Sequence, residues 1–374
     1  MKRIILALVG VITLSIIMIG CATKTYQKGL YFVMDNFKYE VIGIKELRLV
    51  HSNDTSAVVN IPKKITHNGL TYKITHIGFE AFANNSNITT VVIPKTVTHI
   101  YDWTFRNCVN LTDFTIPKTV KYIGLTAFQN TAFYNNKDNW TDNVLYKNGC
   151  LIDVDTNISG IYNVPNNTRL IASQAFAGCK KLISITIPRS ITTIHEGTFA
   201  GCKSLQSITI PNSVENIGDA AFTGCSSLTS IKLPNGIKRI SPYIFQDCSS
   251  LESITIPNNV NIIDVCAFEE CRSLTSVTIP NSVKGIEAFV FTNCKSLGSI
   301  TIPSNVEYID FGAFTNCTNL TTITCRAQKP PTLEGEDIFP YPNDITLLVP
   351  KGSLYNYINS DWNKYFNGRI KEME

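Results

Sequence analysis

Twelve cysteines are the residues of this 374-residue chain best equipped for chemistry, and eight of them stand in register. Cys108, Cys179, Cys202, Cys225, Cys248, Cys271, Cys294 and Cys317 each follow a phenylalanine by three residues. Thiols can ligate zinc, pair as disulfides or act as nucleophiles. A zinc site asks for two close cysteine pairs, each separated by two to four residues. Only Cys266 and Cys271 come that close, and no second pair completes a set. Stacked equivalents would lie about 5 Å apart, within disulfide reach, but their Cβ vectors would run parallel rather than converge. The spacing therefore predicts small buried thiols that fill a narrow turn. The five histidines, His51, His67, His76, His99 and His195, are scattered. No His-Glu-x-x-His helix, Gly-x-Ser-x-Gly elbow or phosphate-binding glycine loop accompanies them, so a hydrolase is a remote reading. His195-Glu196 reads as a solvated pair in a turn. No catalytic residue, no metal and no cofactor is expected.

The elements that position these thiols repeat. Phe82, Phe105, Phe176, Phe199, Phe222, Phe245, Phe268, Phe291 and Phe314 are each followed six, nine and eleven residues later by apolar residues, and in eight of the nine a proline comes next. From Phe176 to Phe314 the interval never changes. A fixed period of about 23 residues marks a solenoid whose coils bury their apolar faces only against one another. In the coil from Ile194 to Val214, Ile208-Thr209-Ile210 alternates with period two and reads as a short strand that Pro211 ends. Equivalent strands returning in the same direction make a parallel sheet. Six apolar side chains cannot offset the entropy of ordering a whole coil, so each coil is stable only beside its neighbours.

Four segments follow from the pattern. Residues 1–20 read as a signal peptide: Lys2 and Arg3 precede an uncharged apolar run from Ile4 to Gly20. Met18-Ile19-Gly20-Cys21 resembles a bacterial lipobox, which implies that Cys21 carries lipid and that the protein is anchored to a membrane rather than spanning it. Residues 21–76 read as an N-terminal β cap, with a hairpin signal at Asn68-Gly69. Residues 77–325 are the repeat array. It is interrupted at about 129–164, where Asn148-Gly149 lies between Val144-Leu-Tyr-Lys147 and Cys150-Leu-Ile-Asp153 and predicts an embedded hairpin. Residues 326–374 read as a C-terminal cap, with a last strand at Thr346–Val349 and one short amphipathic helix from Tyr355 to Phe366.

Composition excludes other classes. Hydrophobic residues make up 44% and charged ones 17%, and Lys2 and Arg3 account for two of the four net positive charges. With no basic stripe interleaved with aromatics, nucleic acid is excluded as a partner. Ala221-Phe-Thr-Gly-Cys-Ser-Ser-Leu-Thr-Ser-Ile231, Ser253-Ile-Thr-Ile-Pro-Asn-Asn-Val260 and the ending Val349-Pro-Lys-Gly-Ser-Leu-Tyr-Asn-Tyr357 resemble the BspA-like, or Treponema-type, leucine-rich repeat family. The resemblance covers nearly all of residues 60–325. It implies a mostly β, right-handed solenoid with one strand per coil and short helical turns opposite. It also implies a non-catalytic adhesion scaffold on the surface of a host-associated bacterium, probing protein or glycan on cells or in extracellular matrix. A lipid-anchored surface protein of that kind belongs to the cell envelope, at the outer membrane.

Two surfaces could carry binding. The outward positions of the strands form two columns, Ser184, Ser207, Ser230, Ser253, Ser276 and Ser299 beside Thr186, Thr209, Lys232, Thr255, Thr278 and Thr301. Rows of hydroxyls can exchange hydrogen bonds with a protein edge or a glycan, and they equally suit a solvated face chosen for strand propensity in a purely structural envelope protein. Phe79, Trp103, Tyr243, Phe289 and Phe311 lie two or three residues before their coil's phenylalanine. They form either an exposed apolar strip or packing between adjacent turns.

Overall fold

The computed structural model describes residues 28–340 and 344–374; the signal segment and Cys21 lie outside the described residues. The chain is mostly β, a parallel-sheet solenoid with about 23 residues per coil. It divides into two compact units, the first running to Lys121 and including Thr126–Asn135, the second comprising Tyr122–Leu125 and Asn136–Glu374. The division falls where the phenylalanine register lapses.

The first unit starts with antiparallel pairs. Strands β1 (Tyr31–Met34), β2 (Phe37–Gly43) and β3 (Glu46–Ser52) run antiparallel in sequence, while β5 (Lys64–His67) and β6 (Leu70–Ile77) form a hairpin. Asn68 and Gly69 both take positive φ there, as a two-residue hairpin turn requires. Parallel pairing begins with β3 against β6, and β4 (Val58–Asn60) pairs parallel with β7 (Thr90–Val92). Tyr39, Val41, Leu47, Leu49 and Ile74 are fully buried beneath these strands. They are the inward residues of alternating segments, so the antiparallel strands cover the apolar end of the first coil.

In the second unit, Lys181–Thr186 pairs in parallel with Ser207–Thr209, and Ser253–Thr255 with Ser276–Thr278, so that Ile185 meets Ile208 and Ile254 meets Val277. After the proline each coil adds a second ladder of mostly two-residue strands, including Arg239–Ile240, Ile262–Ile263 and Gly285–Ile286. The phenylalanine rings stack inside: from Phe176 to Phe314 and on to Phe339, successive centroids are 5.3 to 5.6 Å apart. Phe82, Phe105 and Phe128 stack in the same way within the first unit. The embedded hairpin is present, with Val144–Lys147 antiparallel to Cys150–Val154, whose first residues also pair in parallel with Leu170–Ile171. It keeps the ladder while replacing the content of a coil.

The C-terminal end differs from the sequence reading. In place of one helix from Tyr355 to Phe366 there are two, Leu354–Ile358 and Asn363–Phe366. Asn359 Nδ2 donates to the Tyr355 carbonyl and Ser360 Oγ to the Tyr357 carbonyl, each at 2.8 Å. These side chains satisfy the last carbonyls of the first helix and end it. The break turns Trp362 inward, where its indole donates to the Pro331 carbonyl at 2.9 Å and its ring sits 5.3 Å from Phe339.

Candidate binding face and groove

Two residues per coil take left-handed backbone, and they shape every turn. One lies two positions before the phenylalanine, as at Trp103, Tyr243, Phe289 and Gly312; the other lies two positions after it, as at Asn107, Gly201, Asp247 and Asn293. Glycine and asparagine tolerate this region, whereas bulky side chains occupy it only when the surrounding ladder holds them there. The thiols sit immediately inside. Cys202 Sγ donates to the Phe176 carbonyl at 3.1 Å, and Cys225, Cys248, Cys271 and Cys294 donate to the phenylalanine carbonyls 26 residues earlier at 3.2 Å. The Phe176 carbonyl already accepts the Cys179 backbone N–H of its own coil, so it bonds one group in its own coil and one in the next. All eleven described cysteines are buried and free. Burial pushes the Cys108 thiol up to about 11 and the Cys317 thiol up to about 12, and holds Cys248 and Cys271 well above the ordinary thiol range. Held protonated by burial, such thiols are poor nucleophiles. Among the described residues no group of three or more His, Cys, Asp or Glu side chains could hold a metal ion.

The other ionisable groups are engaged in packing. Glu196, which the sequence placed in a solvated pair with His195, is half-buried and accepts from the Tyr122 hydroxyl and from Ser173 Oγ. The His195 ring meets Tyr122 edge-on at 5.1 Å. In the first unit His76 and His99 stack at 4.4 Å, each bonded through Nδ1 to the preceding threonine hydroxyl at 2.8 Å. Burial, then the neighbouring His99 and Arg48, lower His76 to about 4, which keeps its ring neutral.

The hydroxyl columns face outward. Ser207, Thr209, Ser230, Lys232, Ser253, Thr255, Ser276, Thr278 and Ser299 are exposed, as is Thr186, while Ser184 and Thr301 are half-buried. Ser184 pairs in register with Ser207, whose Oγ donates to its Oγ at 2.9 Å, and Thr255 pairs with Thr278. The ladder lapses in the middle of this face. Residues 231–233 form no strand; on this face the bridge between Ser230 and Ser253 joins their coil to the next, while the turn of the same coil is bonded to it from Phe222 N–H to the Ile244 carbonyl and from Gly224 N–H to the Gln246 carbonyl. Beside it a groove of about 1070 Å³ is lined by Thr186, Arg189, Thr209, Asn212 and Lys232 among others. A second depression of about 360 Å³ continues past Lys232 to Ser253 and Thr255. No aspartate or glutamate lines either one. Periodicity predicts the columns; the lapse at residues 231–233 has no sequence signal beyond Lys232 standing where the other coils carry threonine.

The turn aromatics do not form one strip. Phe79 and Trp103, in the first unit, contact each other at 4.8 Å, with the Arg106 guanidinium 5.4 Å from the Trp103 ring. Phe289 and Phe311, in the second, meet edge to face at 5.1 Å, and Tyr243 has no aromatic neighbour among the described residues. Phe79 is 52% exposed, Tyr243 40% and Phe311 37%, while Trp103 and Phe289 are half-buried. Turn packing accounts for part of the set: a Cβ at Gly312 would lie 2.7 Å from the Phe289 ring, so the glycine makes room for the aromatic of the preceding coil.

A family model described as the BspA type leucine rich repeat region matches the chain in six copies, over residues 54–139, 155–272 and 238–336. Solved structures similar to the chain include a leucine-rich repeat protein from Bacteroides ovatus, 25% identical over 92% of this chain and 100% of that one with a TM-score of 0.43. A leucine rich cell surface protein from Faecalibacterium prausnitzii is 23% identical over 88% and 96% with a TM-score of 0.34. A leucine rich repeat protein of T. pallidum is 21% identical over 71% and 90% with a TM-score of 0.32. Among curated proteins none matches.

Proposed function

The chain belongs to the BspA-type leucine-rich repeat family, and from that premise we propose that it is a non-catalytic binding scaffold displayed on a bacterial cell envelope and held there by lipid on Cys21. The observation that carries the reading is the groove lined by Thr186, Thr209 and Lys232, an open depression on the outward face of the coils. The stacked rings and thiols behind it hold its hydroxyls at fixed spacing, so a partner would meet a preorganised surface and lose little entropy ordering it. The partner class is a macromolecule of a cell surface or extracellular matrix.

Binding of the mature chain to host matrix and to neighbouring bacteria tests the reading against a variant carrying Thr209→Asp, Thr255→Asp and Thr278→Asp. All three side chains are exposed; because Thr255 and Thr278 are paired across strands and aspartates there repel, an unchanged circular dichroism spectrum is required of the variant before its binding is read. Loss of binding by tenfold or more is expected; unchanged binding removes the face, as a purely structural envelope protein would require. Cys21→Ala moves the protein from the membrane fraction to the soluble fraction, and its retention at the membrane refutes the anchor.

A further inference from the structure

We propose that a column of lysines on the first unit lies against the anionic lipid headgroups of the membrane that holds the protein, an inference that rests on Cys21 carrying lipid. The two units differ in charge. Between Lys28 and Lys121 there are eleven lysines and arginines to seven aspartates and glutamates, whereas the second unit has nineteen of the first kind and twenty-two of the second. The excess is concentrated at one place in the coil. Val59 pairs with Val91, and Val91 with Phe114, so extending that register four residues brings Lys63, Lys95 and Lys118, each directly after a proline, into line on three successive coils. In the coils of the second unit from Pro165 to Pro303 that place holds asparagine or serine, as at Asn212, Asn235, Asn258 and Ser304, with Arg189 the exception.

Such a column is unfavourable until an anion meets it, because lysines at strand spacing stand about 5 Å apart and repel. A second like-charged pair adjoins it: Lys64 is directly opposite Lys73 across the β5–β6 hairpin. All five lysines are exposed, and none belongs to an ion pair among the described residues. Glu46 stands in register with Lys73, and Glu40 is taken by Arg48 at 3.2 Å; neither belongs to the column. Position selects the anion. Phe32 in β1 stacks on His67 at 4.0 Å, and His67 ends the strand that Lys64 begins. Cys21 precedes Phe32 by eleven residues, a span of at most about 40 Å, so its lipid enters the bilayer within that distance of the strand. The anchor therefore presents lipid phosphates to this unit at high effective concentration, and each lysine that meets such a surface adds about fivefold in affinity.

The experiment measures sedimentation of the unlipidated mature chain, carrying Cys21→Ala, with vesicles of one part phosphatidylglycerol to two parts phosphatidylcholine at low and at physiological salt. The expected result is binding that weakens with salt, is absent from pure phosphatidylcholine, and falls about a hundredfold in the variant Lys63→Ala/Lys95→Ala/Lys118→Ala. The variant Lys180→Ala/Lys203→Ala/Lys295→Ala loses the same charge from the second unit and should bind as the parent does. All six residues are exposed, so an unchanged circular dichroism spectrum shows that the fold is intact in both. The inference is overturned by absence of binding, by equal binding to neutral vesicles, by equal loss in the two variants, by displacement with inorganic phosphate at the concentration of the lipid phosphate, or by equally tight binding of polyglutamate of matched charge. In cells a high-salt wash releases a protein held by headgroups alone and leaves a lipid-anchored one. Failure of the vesicle assay with the parent chain still at the washed membrane would therefore reject the headgroup contact and keep the anchor.

Discussion

Gly312→Ala probes how the turns are built, because its cost has two parts that a second substitution separates. Gly312 has φ of +65°, and a Cβ there would lie 2.7 and 2.8 Å from two atoms of the Phe289 ring. A left-handed alanine costs about 1–2 kcal/mol wherever it occurs. Forcing the ring aside adds about 1–3 kcal/mol, the usual range for overpacking. The edge-to-face contact of Phe289 with Phe311 at 5.1 Å resists that movement. The sum is about 3 kcal/mol, a fall in Tm of roughly 6–12 °C at the scaling for a unit of this size. In a Phe289→Ala background the steric part disappears and only the backbone part remains, so the same substitution lowers Tm by roughly 2–8 °C. The double-mutant cycle, read by thermal circular dichroism, should give a coupling of about 1–2 kcal/mol. Equal cost in both backgrounds would refute the assignment of Gly312 as the seat of the Phe289 ring.

Three further outcomes follow from the same packing. Iodoacetamide at pH 8 should leave the mass of the native chain from residue 22 unchanged and add one group to each of its eleven cysteines after denaturation, because burial raises these thiols and keeps them protonated; a native mass showing intramolecular disulfides would sink the free-thiol assignment. His76 in the folded chain is lowered to about 4 from an ordinary 6.5, so its contribution to stability is complete above pH 6.5 and lost as pH falls towards 4. His76→Phe, which keeps a ring against His99 and removes the group that would be protonated beside Arg48 on acidification, should flatten the fall in Tm over that window. Phe245→Ala should cost about 3–5 kcal/mol, since the ring stacks on both sides at 5.6 and 5.5 Å, while Phe79→Ala, 52% exposed, should cost less than half of that by chemical denaturation.

Residue type reveals what the coil buries more readily than how it bends. Phe199, Leu205, Ile208 and Val214 announce themselves because each must be apolar in every coil, and the fold is legible from them alone. Phe339 is a further rung of the same stack, 5.5 Å from Phe314, but the regular interval would place that rung at Asp337, so the ring falls out of count. The left-handed positions were half visible. Gly178, Gly201, Gly224, Asn107 and Asn293, two residues after their phenylalanines, are the types that tolerate positive φ, while Trp103, Tyr243 and Phe289 give no such hint before theirs. The thiol bonds could not be read at all, because the direction of a phenylalanine carbonyl depends on the neighbouring coil. Of the candidate site, the columns were legible through alternation and the groove was not, since most of its lining, at residues 187–190 and 210–213, lies beyond the strands where alternation says nothing.

The lapse in the ladder costs the stack little. A coil is held by its rings, its thiols and its two ladders, and most of these are repeated in the coils on either side, so losing one strand pairing at residues 231–233 removes a small fraction of what holds the stack. The coil can therefore carry an exposed lysine and an open cleft at little cost, where a domain with a single core would lose much more of its stability. The same reasoning says where specificity can vary. Phe222 and Cys225 are stacked on both sides and cannot change alone, whereas Arg189, Thr209 and Lys232 touch solvent and can change one at a time. A solenoid of this kind separates the residues that hold its coils together from those that are free to vary on its outward face.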